Sequence, residues 1–561
     1  MPKDGGPAGE CSCLNLEDHL GCCEKLQGGG GDAGDSRRTL GLVSFLIVNR
    51  MLGTGIFATP ANILLQVGSV GMALILWITG ALIAVAGLLG MGLYVEYGTG
   101  LPKSGGEKNY LEFVYRKPRL LATCVYASNA LFLGWAGSNS VGKQSVSASG
   151  AAERFHFGSA ILVRPSTRIA PSVFGEYVLF AAGLSRRPDD PQDPFIWKSR
   201  TTALACVTFA FLIHSLFPKS GMRLQNLLGG LKILILVFVV ASGFAAMGGM
   251  LQVEPPNNYV GVFEGTSTSA YSYASALFMV IWSFIGYSNA NYVLGEVKNP
   301  VRTMKRAGPL AVGIVSVLYL LANVAYFAAV SKEEMKSGGV VIAGRFFANV
   351  YGAVIGRRIL PVFVALSAMG NVLAVMFAHG RINQELGKEG ILPFSPFWAS
   401  SWPLKTPFSG LFLHWAASVV MILGPPEGDA YTFILDVISY PVSIINAAIA
   451  AGLLLIRAGV LKYDWSPPFR CPVSVAGFFL CANIFLVVLP LVPPPGLKGD
   501  TSLPYYLYCV IGAGILLAGA AYWWLWTRLW PLLCGFAWER RQGQLADGTR
   551  IWEYVKVRAE R

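Results

Sequence analysis

Three places in this 561-residue sequence carry residue types that could do chemistry away from water. The first is Val48-Asn49-Arg50-Met51-Leu52-Gly53-Thr54-Gly55-Ile56-Phe57, where two glycines flank a threonine inside an apolar run. Glycine costs a helix interior about 1 kcal/mol against alanine, so the pair invites an unwound turn. Such a turn exposes the N–H groups that open the next helical half, and these suit a carboxylate. The same Gly-x-Gly spacing also makes a notch for close helix packing, and the motif alone does not choose between the two. The second place is Trp282-Ser283-Phe284-Ile285-Gly286-Tyr287-Ser288-Asn289-Ala290-Asn291-Tyr292, where Gly286 precedes an unusually polar stretch. Carbonyls freed at two such breaks accept from an ammonium while the N–H groups take a carboxylate, so together they suit a zwitterion. The third is Lys232, a lone charge in Leu227-Leu228-Gly229-Gly230-Leu231-Lys232-Ile233. It either snorkels to an interface or is buried with a labile proton.

The elements that must position these residues are membrane helices. The chain is 54% hydrophobic and only 13% charged, with a mean hydropathy of +0.52. A soluble domain carries about 25% charge, so this chain lacks the polar surface to face water all round. Apolar stretches of at least about 17 residues recur from end to end. Twelve spans can be drawn, and backbone polar groups in lipid require them to be helices. The expected fold is therefore all-α, with a polar, disordered cytosolic tail over 1–39, a twelve-helix membrane domain over 40–529 and a cytosolic tail over 530–561. No cleavable signal peptide is expected, because the first 35 or so residues have no apolar core. Basic residues such as Lys103, Lys108, Arg116, Lys117 and Arg119 gather in alternate loops, which places both termini in the cytosol. The net charge of +13 is read as this bias and not as nucleic-acid binding. The four tail cysteines (Cys11, Cys13, Cys22, Cys23) match no zinc spacing, and no metal or cofactor is expected.

One segment does not fit a helix. Residues 142–172 interrupt the third span with Lys143, Arg154, His156, Arg164 and Arg168, which lipid does not accept cheaply. Without them, the residues before Gly142 run on into Val173–Gly183 as one long helix, and Glu176 becomes a membrane-embedded carboxylate. The 31 residues read as a translated, unspliced in-frame intron, the alternative being a genuine outer loop followed by a re-entrant stub.

Breaks in spans 1 and 6 are what two five-helix inverted repeats predict, because each opens a repeat. Gly53-Thr54-Gly55-Ile56-Phe57, Trp282-Ser283-Phe284-Ile285-Gly286 and Glu296-Val297-Lys298-Asn299-Pro300 together resemble the amino acid–polyamine–organocation transporters. Asn49-Arg50-Met51 and Asn289-Ala290-Asn291-Tyr292 are similar to the L-type branch, near the fungal methionine permeases. The resemblance covers roughly Leu40 to Leu529. It implies a 5+5 inverted-repeat, LeuT-like core with discontinuous helices 1 and 6. It implies a substrate carboxylate on the backbone at Thr54, Gly55 and Ile56, and an ammonium on carbonyls of Met51, Trp282 and Ile285. Gly53 and Gly286 are the breaks, and Tyr287, Asn289 and Trp135 are expected around the side chain. Lys232 is expected to replace a sodium ion, Arg50 to meet Glu296 at an inner gate, and Glu176 to relay protons. His379 and His414 are expected at the interface.

The function implied is import of neutral L-amino acids by alternating access, coupled to protons and independent of sodium, in the plasma membrane. Neutral substrates are favoured because no charged residue falls clearly in the pocket. The alternatives are an exchanger of the L-type class or a nutrient receptor that no longer transports. The expected partners are the amino acid, protons and the bilayer. No disulfide-linked heavy chain is expected, since residues 184–199 contain no cysteine. An enzyme is excluded by the absence of HExxH, nucleophile-elbow or clustered His/Asp motifs. Sequencing the transcript across codons 142–172 is expected to show a main message without these 93 nucleotides. A main message that retains them contradicts the intron reading.

Overall fold

The structure, a computed structural model, describes residues 33–53, 55–89, 91–134, 173–184, 194–297, 299–338, 342–352, 356, 358, 360–423, 430–493 and 503–558. Residues 142–172, Trp135, Thr54 and most of the N-terminal tail lie outside these. The first helices are α1 (Ala33–Met51), α2 (Gly55–Ala58), α3 (Pro60–Val67), α4 (Val70–Leu89), α5 (Met91–Gly100), α6 (Glu107–Val114) and α7 (Leu121–Leu133). Then come α8 (Val173–Ala181), α9 (Phe195–Leu216), α10 (Pro218–Met247), α11 (Ala270–Phe284) and a 3-10 segment over Tyr287–Glu296. The second half holds α12 (Pro300–Ala329), α13 (Lys332–Gly338), α14 (Ile342–Tyr351), α15 (Leu360–Lys388) and α16 (Ser395–Ala399). It ends with α17 (Phe408–Leu423), α18 (Ala430–Arg457), α19 (Val473–Val488), α20 (Leu507–Trp524) and α21 (Trp530–Cys534).

Among the described residues, seven helices are long and apolar enough to cross a membrane, namely α9, α10, α12, α15, α18, α19 and α20 with its continuation to Cys534. The bent pair 43–57 and 60–67, at 56°, makes an eighth if it is one span. Their outer faces are apolar: on α10, Leu227 and Leu234 are 69% and 67% exposed while Lys232 between them is 1% exposed. A soluble protein could not leave such faces open to water. They fit hydrocarbon.

The all-α expectation needs correction at the C-terminus. Phe536–Gln544 (β1) and Arg550–Arg558 (β2) form an antiparallel hairpin. Phe536, Trp538 and Arg540 alternate with residues of the other face, and the turn carries Asp547-Gly548 with Gly548 at φ +83°. Alternation and an Asp-Gly turn are hairpin signals that outweigh helix propensity here. The hairpin docks on the end of α15 through Arg540 Nη2, which donates to Glu389 Oε2 at 2.7 Å. The Asp547 carboxylate accepts from the Ser401 N–H at 2.6 Å and the Ser400 hydroxyl at 3.0 Å.

A buried carboxylate joins the first half to the second. Glu96 on α5 is fully buried and accepts from the Cys471 N–H at 2.7 Å and Trp465 Nε1 at 2.9 Å, and it pairs with Arg457. These contacts pin the loop between α18 and α19 against α5. Removing one side of a buried, hydrogen-bonded pair strands the other, at about 3–5 kcal/mol. Glu96→Ala is therefore expected to lower the thermal midpoint of the detergent-purified protein markedly, and an unchanged midpoint contradicts this packing role.

Candidate functional site

The first helix stops because its hydrogen-bond ladder is diverted. In a continuing helix the Gly53 N–H would bond to the Asn49 carbonyl. Here it bonds to the Met51 carbonyl at 2.7 Å, which leaves Asn49 O without its ladder partner. Lys232 Nζ on α10 supplies the replacement, donating to Asn49 O at 2.8 Å. The lysine is held tightly: a Cβ on Gly370 of α15 would lie 2.9 Å from its Cε. Asn49 itself is fixed by Nδ2, which donates to the Gln225 carbonyl at 2.9 Å.

The second break lies against the first. Helix α11 ends at Phe284, and Gly286 takes φ +130°, a conformation that L side chains rarely adopt. A Cβ on Gly286 would strike the Arg50 side chain, and one on Gly55 would lie 2.6 Å from Ser283 Oγ. A Cβ on Gly53 would lie 2.5 Å from Asn371 Nδ2. All three glycines thus permit close approach, so the packing-notch reading of Gly53 and Gly55 holds alongside the break. Tyr319 on α12 joins the two breaks. Its hydroxyl lies 2.6 Å from Met51 O and 3.1 Å from Ser283 O, and it donates to these carbonyls. The ring is caged by Trp77 and Phe284 at centroid distances of 5.7 and 5.1 Å.

Beside the breaks is a cavity of about 130 Å³, lined by Arg50, Glu107, Trp282, Ile285, Gly286 and Asn289 among others. It is small against the roughly 300–1,000 Å³ of drug-sized sites, a scale suited to a compact solute. A larger hollow of about 820 Å³ lies between α20, α21 and the hairpin, but its walls are mostly apolar and bring no convergent polar groups. The smaller cavity is the candidate site.

Of the residues expected from sequence, Arg50, Trp282, Ile285, Gly286 and Asn289 line this cavity, whereas Met51, Gly53, Gly55 and Ile56 are buried beside it. Thr54 and the side chains of Tyr287 and Glu296 lie outside the described residues. Arg50 Nη1 donates to Asn371 Oδ1 at 3.3 Å. Glu176 is buried on α8 and does not line the cavity. Two of the three carbonyls expected for an ammonium already accept, Met51 from Gly53 N–H and Tyr319, and Trp282 from the Ile285 N–H at 3.1 Å. His379 and His414 are not interfacial: they stack at 5.4 Å on α15 and α17, and His379 lines the cavity.

Sequence reasoning missed Tyr319, Asn371 and Glu107. Tyr319 and Asn371 sit in ordinary helical stretches without a local signal. Glu107 had one, the Gly105-Gly106 pair before it, with both glycines at positive φ. The expectation of an uncharged pocket is corrected as well, since the cavity wall carries Arg50 and Glu107. Glu107 is buried and accepts from Tyr292 Oη at 3.1 Å and Tyr126 Oη at 3.5 Å. Burial raises its carboxyl above the ordinary range, against the hydrogen bonds that lower it. Its neighbour Lys108 points elsewhere, pairing with Glu389 and with Glu112 at 3.2 Å. Burial alone would lower Lys108, but these carboxylates outweigh it and hold the ammonium above the usual lysine range.

Tyr319→Phe removes the one hydroxyl shared by both breaks. Leaving a buried carbonyl short of a donor costs about 1–3 kcal/mol. The variant is expected to unfold at a lower temperature and to lose several-fold in transport rate; wild-type rates would show that the bridge does not matter.

Comparison with known proteins identifies the family. The amino acid permease family model matches residues 42–516. The high-affinity methionine permease of Saccharomyces cerevisiae is 44% identical over 503 residues, covering 88% of this chain and 80% of the relative. The low-affinity methionine permease of the same yeast is 30% identical over 531 residues, covering 92% and 88%. The b(0,+)-type amino acid transporter 1 of Mus musculus is 26% identical over 495 residues, covering 87% and 88%. With its two broken helices and small polar cavity, this chain belongs to the amino acid permease family and is a multi-pass membrane transporter of amino acids.

Proposed function

We propose that this permease imports methionine and other neutral L-amino acids across the plasma membrane, coupled to protons and independent of sodium. The observation that carries the reading is the Lys232 ammonium on Asn49 O, 2.8 Å away at the broken end of α1. The side-chain nitrogen donating to that carbonyl would stand where a sodium ion would otherwise bind. The substrate carboxylate would meet the N–H groups of Gly55 and Ile56, which open a helical turn and have no partner within it. The ammonium would meet the carbonyl of Ile285, since those of Met51 and Trp282 already accept from other donors. Asn289 faces the same cavity and would contact the side chain.

The architecture proposed is twelve spans in two inverted five-helix repeats plus two further helices, with both termini cytosolic. The seven long helices, the bent pair and four shorter apolar helices (Val70–Ala84, Leu121–Leu133, Ala270–Phe284 and Phe408–Leu423) are compatible with that number. Alternating access would pivot at the two breaks, with Tyr319 as the tie between them. Arg50 would close the inner side, with Glu296 as its proposed partner, and Glu176 is a further candidate for proton relay. The names of the two yeast relatives support methionine as the first substrate to test. The permease is proposed to act without a disulfide-linked subunit.

Radiolabelled methionine uptake in transport-deficient cells tests this, using chains with and without residues 142–172. Uptake is expected to rise as external pH falls, to persist when sodium is replaced, and to be competed by neutral amino acids. Competition by arginine or glutamate above that by leucine would overturn the substrate class. A pH-independent flux stimulated only by internal amino acid would indicate an exchanger, and binding without flux a receptor. Lys232→Ala is expected to abolish concentrative uptake.

A further inference from the structure

The buried carboxylate of Glu107 has no role in the reading above. We propose that Glu107 binds the transported proton, as a carboxyl while the cytosolic side of the cavity is shut and as a carboxylate once opening exposes it to cytosolic water. The inference rests on the proton-coupled reading and names the group that does the coupling.

Its surroundings distinguish it from a structural ion pair. Glu107 opens α6, and the chain before it runs flush against Tyr292, since a Cβ on Gly106 would lie 2.6 Å from that ring. This brings the carboxylate to the hydroxyls of Tyr292 on the 3-10 segment and Tyr126 on α7. Its own backbone N–H and the nearby hydroxyls of Ser288 on the 3-10 segment and Tyr94 on α5 also favour the charged form, while Tyr94 donates to Asn446 Oδ1 at 2.7 Å. Across the cavity stand Arg50 of α1 and His379 of α15, and on its own helix Tyr110 lies nearby. Among the described residues no lysine, arginine or histidine forms a salt bridge with Glu107, and Lys108 is engaged by Glu112 and Glu389.

A site of this kind accommodates both protonation states. Hydroxyls donate to a carboxylate and accept from a carboxyl, so a proton can come or go without stranding a partner. Burial without a paired cation disfavours the charge, whereas hydration restores it. The proton affinity is therefore high in the shut state and falls on opening, which delivers the proton from Glu107 to cytosolic water. A carboxylate held by an arginine would stay charged in both states and carry nothing.

The position couples this to the breaks. Tyr292 lies on the segment that follows Gly286, so any movement of that segment changes what covers Glu107. Lys108, on the next residue, ties the same helix to Glu389 just past the end of α15. Opening of the cytosolic side and exposure of the carboxylate are thereby one event.

The test uses the full chain in proteoliposomes containing a pH dye, with methionine counterflow measured in parallel. Wild type is expected to acidify the lumen when methionine is added outside. Glu107→Gln is expected to reduce protons moved per methionine to background, with any remaining counterflow independent of pH. Glu107→Gln that still moves protons at the wild-type ratio overturns the inference while leaving proton coupling intact. Wild type that shows counterflow without acidification overturns both the coupling and this assignment, and absence of counterflow overturns the transport reading with them. If Glu107→Gln does not fold, Tyr292→Phe decides. Loss of a donor to the carboxylate favours the carboxyl, so the pH of half-maximal uptake is expected to move up by about half a unit. An unmoved midpoint overturns the inference.

Discussion

The structure depends on how the orphaned carbonyls at the end of α1 are satisfied where no water is at hand. Interrupting a helix in hydrocarbon costs several kcal/mol for each group left bare. Here the diverted Gly53 N–H frees Asn49 O, and Lys232 takes it; the Met51 carbonyl takes Gly53 N–H and the Tyr319 hydroxyl. The break is thus held open by side chains from α10 and α12, two elements far away in sequence. Because Tyr319 also reaches Ser283 O, what stabilises one break is sensitive to the geometry of the other.

The glycines have a double use that follows from the same constraint. A break exposes polar backbone, and close approach by neighbouring helices covers it again. Gly53, Gly55 and Gly286 let Asn371, Ser283 and Arg50 come within distances that a Cβ would forbid. The choice between a packing notch and a ligand cradle is therefore a false one at these positions. The notch brings the surrounding walls close enough to make a cavity of amino acid scale.

On the side of the C-terminal hairpin, charge is organised in two layers. Buried within is Glu107, met by hydroxyls and its own backbone N–H; outside it Lys108, Glu389 and Arg540 form a chain of ion pairs that reaches the C-terminal hairpin. The inner group can change its charge with hydration. The outer ones hold theirs, because each carboxylate or ammonium has a permanent counter-charge. The adjacent residues Glu107 and Lys108 thus have opposite characters, set by which way each side chain points.

The membrane class, the two interruptions and the family were legible in the sequence because they rest on local quantities. Length and apolar content of a span, two glycines beside a threonine, and a lone lysine in an apolar run need no knowledge of neighbours. The hairpin is legible too, in its Asp547-Gly548 turn and alternating residues. Tyr319, Asn371 and Glu107 were not legible as site residues. A tyrosine in a long helix has no local mark of its role, and the mark of Glu107 is only the Gly105-Gly106 pair before it. Only packing decided that Tyr319 would bridge two breaks, and that Glu107 would lie buried against phenols while Lys108 beside it met two carboxylates. The physical reason is that hydrogen-bond partners and desolvation are properties of contacts between distant segments. The sequence alone marked Gly53-Thr54-Gly55 and Gly286 as the places where two helices could break; which atoms meet at those breaks was decided by the tertiary structure.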